Sequence, residues 1–347
     1  MHESQAGGDE GGAEWSKADL EQVTVCLACG GTRFAVCHEG LEDLLGGLPG
    51  GWGYLACAAC GSLHLNPRPT PATIGRAYPD DYVTHVSGEN ANSRDNGSSR
   101  VWRLANGYLN ARFGTARYPA SWIGRWIVPL LWPLRQQLDY FFRHLPTKPG
   151  RVLDVGCGNG AFLLRARSAG WVVQGIEPDP LAATGARQEG LEVASCSIEE
   201  FAPEALFDQI TLSHVFEHLH APDEALRRMR IWLRPGGTLW MSLPNPSGFG
   251  HLVFGRNWFS LDPPRHLFLP PPYQVVAMLQ AAGYEDVRLI RRGRGARSSI
   301  LPSVDYARRR NGGPAGGGAL IAFVIDVLGS WFPALSEEIV VIARQGK

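Results

Sequence analysis

The segment 152–160, Val-Leu-Asp-Val-Gly-Cys-Gly-Asn-Gly, constrains this chain more than any other. Residues suited to a buried strand run straight into glycines at alternate positions. Glycine accepts the left-handed backbone that a tight turn requires and lets the main chain approach a ligand that a side chain would exclude. From residue 151 onward short apolar runs alternate with amphipathic segments, the pattern of βαβ units around a mainly parallel sheet. The runs predict strands at 151–155, 171–176, 191–194, 208–212, 237–242, 287–290 and 338–343, with helices between them. Pro222, Asp223 and Glu224 at the start and arginines near the end mark a helix over 222–233, as the helix dipole favours, with Pro235-Gly236-Gly237 as its stop.

A strand, a glycine turn and a helix also fit a dinucleotide site, since Ala161 can stand for the third glycine of that fingerprint. Two acidic residues argue for a different ligand. Asp154 is expected at the mouth of the turn, where it would repel a pyrophosphate and attract ammonium and sulfonium charges. Glu177, in Glu-Pro178-Asp179 at the end of the second strand, stands where a carboxylate accepts the ribose hydroxyls of an adenosine. Ser197 and Ile198, after the third strand, are expected to supply an edge hydrogen bond and an apolar plate for adenine. After the fourth strand, His214, Glu217, His218 and His220 gather at the carboxyl end of the sheet, where doubly wound folds bind ligands.

With these motifs in place, the chain from residue 151 to its end resembles a class I S-adenosylmethionine-dependent methyltransferase of the small-molecule branch. The resemblance rests on Asp154 to Gly160, Glu177, Ser213 to His218, the Leu-Arg-Pro-Gly-Gly ending at 237, the Leu-Pro-Asn ending at 245, and Asp262-Pro-Pro-Arg-His266. It implies an α/β fold, a doubly wound, seven-stranded Rossmann-like sheet whose last strand, 338–343, runs antiparallel between its neighbours. It also implies S-adenosylmethionine as cofactor, held by Asp154, Gly156, Gly158, Gly160, Glu177, Pro178, Asp179, Ser197, Ile198, Ser213 and His214. Many relatives carry Asp where this chain has Ser197.

Methyl transfer is an in-line displacement on an activated sulfonium, so the protein must align the acceptor, exclude water and take a proton if one is released. A histidine, with a reference pKa of about 6.5, suits that last task. Three readings of Glu217 and His218 stand side by side: a base with its orienting carboxylate, a brace at the sheet edge, or ligands of a divalent ion. The last takes its cue from relatives with a Glu-x-x-Glu-His segment, in which His214 would replace the first Glu. His266 and Arg265 lie in a loop that borders the acceptor pocket in this branch, as substrate contacts, base or loop pins. Trp258 and Phe259 form an aromatic wall there or belong to the core.

Cys26, Cys29, Cys57 and Cys60 form two C-x2-C-G knuckles 27 residues apart, the arrangement of a closed structural zinc site. Disulfides are the alternative. Cys37, Cys157 and Cys196 have no comparable spacing and read as buried thiols. The residues that follow the knuckles resemble the region ahead of some sugar and natural-product methyltransferases, which helps cover the acceptor site and brings Tyr78, Tyr82 and His85 into consideration.

The expected organisation is a disordered tail (1–22), a zinc-binding module (23–86), an exposed loop at 87–100 leading into a helical cap of two helices (to 147), and a methyltransferase domain (148–347). The 33 basic and 33 acidic residues cancel, which removes a whole-chain field for nucleic acid or anionic membrane. Arginines at 288, 291, 292, 294, 297 and 308–310 make a local basic tract, read as a phosphate-attracting patch or a solvated face. The apolar stretches 122–134 and 319–328 fall short of the roughly 20 residues of a spanning helix and read as packing helices or peripheral membrane contacts. With no secretory signal in sight, the expected location is cytoplasmic. The expected activity is methylation of oxygen or carbon on a small molecule, a sugar nucleotide or secondary metabolite. A non-catalytic zinc-binding interaction protein and a nicotinamide-dependent oxidoreductase are the alternatives.

Overall fold

A computed structural model describes residues 15–78, 99–311 and 317–346. The amino-terminal strands are β1 (Leu20–Glu21), β2 (Phe34–Leu41), β3 (Trp52–Cys57), β4 (Leu63–Leu65) and β5 (Arg68–Pro69), followed by helices α1 (Arg100–Phe113), α2 (Gly124–Ile127) and α3 (Trp132–Phe141). Then come β6 (Arg151–Val155), α4 (Ala161–Ser168), β7 (Val172–Ile176), α5 (Pro180–Gln188), β8 (Val193–Ala194), β9 (Phe207–Ser213), α6 (Pro222–Trp232) and β10 (Leu233–Pro244). The chain ends with α7 (Phe249–Phe254), β11 (Phe268–Leu269), α8 (Pro272–Ala281), β12 (Tyr284–Leu289), α9 (Arg297–Asn311), α10 (Gly318–Trp331) and β13 (Glu338–Gln345).

Seven strands form one sheet in the order β12-β13-β10-β9-β6-β7-β8. The strands from β6 to β10 pair in parallel, while β13 lies antiparallel between β10 and β12. The chain leaves β6 toward β7 and β8, then returns to the other side for β9 and β10. That reversal puts the topological switch point between β6 and β9, and open α/β sheets hold ligands at the carboxyl ends of the strands there. Leu153, Ile210 and Leu212 pack one face of the sheet against Met229 and Trp232 of α6 and Val275 and Leu279 of α8. Val152 faces the other side, with Leu109 and Phe113 of α1, Leu138 of α3 and Phe162 of α4.

Several expectations change in detail. The cap contains three helices rather than two: Gly114, at φ 71°, ends α1, and Pro133 sits in the first turn of α3, where its missing N–H costs nothing. Pro235-Gly236-Gly237 does not form a separate stop. Helix α6 ends at Trp232, strand β10 begins at once, and the three residues make an irregularity in its pairing with β9 between Leu233 and Thr238. Order reaches back to Trp15, which meets Trp52 edge-on at 5.5 Å, and β1 pairs antiparallel with β5. Residues 1–14, Tyr82, His85, most of the 87–100 loop and residues 312–316 lie outside the described residues.

The amino-terminal module and the large sheet are joined through shared structure. Strand β11 pairs antiparallel with β4, extending the module's sheet to the order β11-β4-β3-β2. Trp52, Tyr54 and Leu65 share a core with Trp258, Leu261 and Leu267. At the seam Arg265 is fully buried and donates to both Asp43 oxygens (2.5 and 3.1 Å), to Asp262 (2.7 Å) and to the Ala77 carbonyl (3.1 Å). Trp126 and Leu130, together with Leu320, Phe323 and Trp331 of α10, remain exposed. No described helix is long and apolar enough to cross a membrane.

Removing Arg265 would strand two buried carboxylates. Arg265→Met is expected to lower the unfolding free energy by about 3–5 kcal/mol, and Arg265→Lys to recover only part, because a point ammonium cannot serve two carboxylates as a planar fork does. Urea unfolding followed by far-UV dichroism measures both.

Candidate active site

Gly156, Gly158 and Gly160 all occupy the left-handed region, with φ of 66°, 52° and 78°. A Cβ on Gly156 would lie 2.4 Å from Val215, and one on Gly160 2.3 Å from Leu191, so packing reserves both positions for glycine. A Cβ on Gly158 would meet nothing within 4 Å, so this residue faces open space. The Gly158 amide donates to Glu177 Oε2 at 2.8 Å, and the Asp179 amide to Oε1 at 3.0 Å. Burial raises the Glu177 pKa, opposed by those two amide bonds. The glycine turn and the acid that ends β7 therefore adjoin. Asp179 also caps α5 by accepting from the Leu181 amide (2.9 Å), while Pro178 lies exposed beside them.

Asp154 does not stand at the mouth of the turn. It is fully buried beneath it, paired with the Arg143 guanidinium and 3.0 Å from Thr211 Oγ1. Burial raises its pKa on balance, and Arg143 offsets only part of that rise. A charged side chain inside a parallel sheet needs a partner, and the cap supplies one: Arg143 reaches inward with its guanidinium over the Phe162 ring at 4.1 Å. Ile198, expected as a plate for adenine, is 5% exposed and packs in the core with Phe201. Ser197 is half-buried and uses its amide to bond Glu200 (2.9 Å).

A second group sits at the carboxyl ends of β9 and β10. Ser213 closes β9, and His214 follows at φ 55°, its amide bonded to the Ser242 carbonyl at 2.8 Å. The His214 ring lies 3.3 Å from Glu217 Oε1 and 3.7 Å from Glu338 Oε1. Desolvation disfavours its charge, but the two carboxylates outweigh that and raise its pKa well above the usual value. It is a donor at neutral pH rather than a base. Glu338 is in turn bound by Arg292 at 2.5 Å, whose guanidinium covers the Tyr140 ring.

Glu217, His218 and His266 come together. One carboxylate oxygen and one nitrogen of each imidazole lie within 4.8 Å of one another. His218 Nδ1 is 3.0 Å from the Arg265 carbonyl and 3.0 Å from the Tyr78 hydroxyl; His266 Nδ1 is 2.8 Å from the Ser260 carbonyl. A carbonyl only accepts, so each Nδ1 carries the hydrogen, and a neutral ring keeps its lone pair on Nε2. Burial, then the neighbouring His266, lowers the His218 pKa to about 4, so the ring is neutral at physiological pH and a weak general base. Glu217 is fully buried. Although desolvation raises its pKa, the contact with His214 and the surrounding histidines hold it below the usual range. Neither of its oxygens has a donor in hydrogen-bond geometry, which is costly for a buried carboxylate.

Of the other residues expected around the acceptor, Arg265 is the seam clamp rather than a substrate contact, and Trp258 is core, its Nε1 donating to Glu337 at 3.0 Å. The basic tract is not one solvated face: Arg292 is buried, and Arg309 pairs with Asp305. Arg143, Arg292 and Asp43 went unrecognised in the sequence. Their one signal was indirect, in that Asp154 on a buried strand requires a cation.

The four knuckle thiols of the amino-terminal module lie within 4.8 Å of one another, with Cys26–Cys60 and Cys29–Cys57 sulfurs 3.6 Å apart. Zn–S bonds of about 2.3 Å in a tetrahedron put sulfurs about 3.8 Å apart, so the set fits zinc. The knuckles are alike: Gly30 and Gly61 return their amides to Cys26 and Cys57 carbonyls at 2.9 and 2.8 Å. None of the seven cysteines forms a disulfide.

A doubly wound sheet with a glycine turn after its first strand and an acid closing the second defines a nucleoside-binding α/β protein. A methyltransferase-domain family model matches residues 133–289. Over 163 residues the chain is 30% identical to a ubiquinone biosynthesis O-methyltransferase of Xanthomonas euvesicatoria, covering 43% of this chain and 68% of that one. The chain belongs to the class I S-adenosylmethionine-dependent methyltransferases. It is also 33% identical over 139 residues to a ubiquinone biosynthesis O-methyltransferase of Xanthomonas oryzae (37% of this chain, 58% of that one). A tRNA U34 carboxymethyltransferase of Tolumonas auensis is 28% identical over 169 residues (46% and 52%). The match to the Xanthomonas oryzae protein thus spans under two thirds of that relative's length.

Arg143→Ala would leave Asp154 as an uncompensated buried charge, at a cost of about 3–5 kcal/mol. Adding Asp154→Asn is expected to restore most of the loss in a urea unfolding comparison; additive losses would show that the pair is not coupled.

Proposed function

We propose that this protein transfers the methyl group of S-adenosylmethionine to oxygen or carbon of a small molecule, a sugar nucleotide or secondary metabolite. The observation that carries the reading is the open space over Gly158 beside the Glu177 carboxylate, at the carboxyl ends of β6 and β7. Bound there, the cofactor supplies a methyl group already activated on a sulfonium. Glu177 would accept from the ribose hydroxyls and the Gly158 backbone would admit the ligand closely. His218, His266 and Glu217 stand ready for the acceptor side, with Tyr78 brought against His218 from the module. The zinc held by Cys26, Cys29, Cys57 and Cys60 would have no open position and would organise the module rather than react. Two relatives named as O-methyltransferases favour oxygen as the acceptor atom.

A second reading of the acceptor side is favoured by Glu217 itself. An ionised, buried carboxylate that touches His214 without good hydrogen-bond geometry and faces two histidines whose Nδ1 hydrogens are tied to carbonyls is a donor set suited to a divalent ion. Such an ion would lower the pKa of an acceptor hydroxyl, a task for which a His218 of depressed basicity is poorly suited.

Calorimetric titration of the folded, zinc-loaded protein should show micromolar binding of S-adenosylmethionine and S-adenosylhomocysteine and no competition from NAD. Gly158→Ala, whose Cβ would project into the opening, should keep the fold and weaken binding at least tenfold, about 1.4 kcal/mol. Absence of binding would favour the non-catalytic reading, and NAD binding the oxidoreductase. For the divalent ion, manganese titration followed by electron paramagnetic resonance should show a site that His266→Gln removes. An unchanged signal would return Glu217 and His218 to a structural role.

A further inference from the structure

A second cluster of ligand-type side chains lies at the seam, apart from the knuckles and the candidate active site. Cys37 and His38 are on β2 of the module, and His251 is on α7 of the methyltransferase domain. The sulfur and one nitrogen of each ring lie within 4.8 Å of one another, and all three residues are half-buried, so the cluster is reachable from solvent. His38 Nε2 and His251 Nε2 are 2.8 Å apart.

Neighbouring residues of a strand normally point to opposite faces. Here the ladder is irregular: Val36 opposes Leu55 and His38 opposes Tyr54, so Cys37 is an extra residue with no partner on β3. Such a bulge re-aims side chains, and it brings Cys37 and His38 to one side. On the other side of the seam, His251 Nδ1 lies 2.6 Å from the Pro246 carbonyl, which can only accept. Nδ1 therefore carries the hydrogen, and the neutral ring turns the Nε2 lone pair toward His38 and Cys37. Metal-bound histidines are held by this kind of carbonyl contact. Helix α7 is itself anchored, because the Gly250 amide donates to the buried Glu337 carboxylate at 2.5 Å.

We propose that Cys37, His38 and His251 form a second zinc site, which ties β2 of the module to α7 of the methyltransferase domain. Thiolate and imidazole together suit zinc among the abundant divalent ions. Three protein ligands leave the fourth position to water. A hydrogen bond between His38 and His251 accounts for their contact without an ion, but not for the third donor that the bulge presents. Zn–N bonds of about 2.0–2.1 Å in a tetrahedron require the two nitrogens about 3.3 Å apart, so the rings need open by only about half an ångström. The helix they hold leads into the loop that carries His266, and the site would steady that loop from outside.

The test uses the full chain, equilibrated with excess zinc and freed of loose metal by gel filtration. Cys37→Ser and His251→Gln should each bind one zinc fewer per chain than the wild type by elemental mass spectrometry. Cys29→Ser and His266→Gln report separately on the knuckle and candidate active sites, so their loss or retention does not bear on this one. Adenosylhomocysteine binding and far-UV dichroism verify that the variants fold. A second readout avoids dependence on the variants: in the wild type, zinc should protect Cys37 from alkylation, read by peptide mass spectrometry. Variants that keep the wild-type zinc content, or a Cys37 alkylated equally fast with and without zinc, would overturn the site.

Discussion

One guanidinium holds the two halves of this protein in register. Arg265 has no contact with solvent, and its planar fork is satisfied by Asp43 of the module, by Asp262 of its own loop and by the Ala77 carbonyl. Its own carbonyl faces His218, its neighbour His266 completes the site, and Ala77 is followed by Tyr78, which also touches His218. The Tyr54 hydroxyl strengthens the seam, lying 2.5 Å from the carbonyls of both Leu261 and His266. A cysteine-bearing module placed ahead of a catalytic domain could have been a tethered appendage. Shared strand pairing and a buried ion triad make it one wall of the site.

The same economy of charge runs through the crevice. Asp154 is matched by Arg143, and Glu338 by Arg292 and His214, each acid having a cation drawn from a different element. In a low-dielectric interior these matches decide which groups stay ionised. Glu217 differs in that its neighbours are the imidazoles of His214, His218 and His266 rather than a guanidinium, and its oxygens have no donor in hydrogen-bond geometry.

Much of the fold was legible in the chain because its signals are local. Alternating apolar runs set the strands, and φ-restricted glycines at 156, 158 and 160 could serve only one kind of turn. The antiparallel place of the last strand came from the resemblance rather than from periodicity. The site was legible in part. Glu177 adjoins the turn as expected from its place at a strand end, while Asp154 and Ile198, chosen on the same reasoning, face inward. For Asp154 the reason is that a strand residue's sequence position fixes its face only relative to its neighbours, and burial of both faces of a parallel sheet hides which side meets the ligand; Ile198 lies in the turn after β8, where its side chain packs into the core.

The sequence by itself determined the secondary structure of the large sheet, the glycine turn and the paired knuckles, since each depends on backbone preference or on spacing within a few residues. Only the tertiary structure decided which polar side chains meet. Arg143 with Asp154, Arg265 with Asp43, and Cys37 and His38 with His251 are separated by 11, 222 and more than 200 residues. No periodicity encodes such pairs. The two ion pairs follow from the desolvation of charge, which acts on whatever groups the packed chain brings into the same dry space.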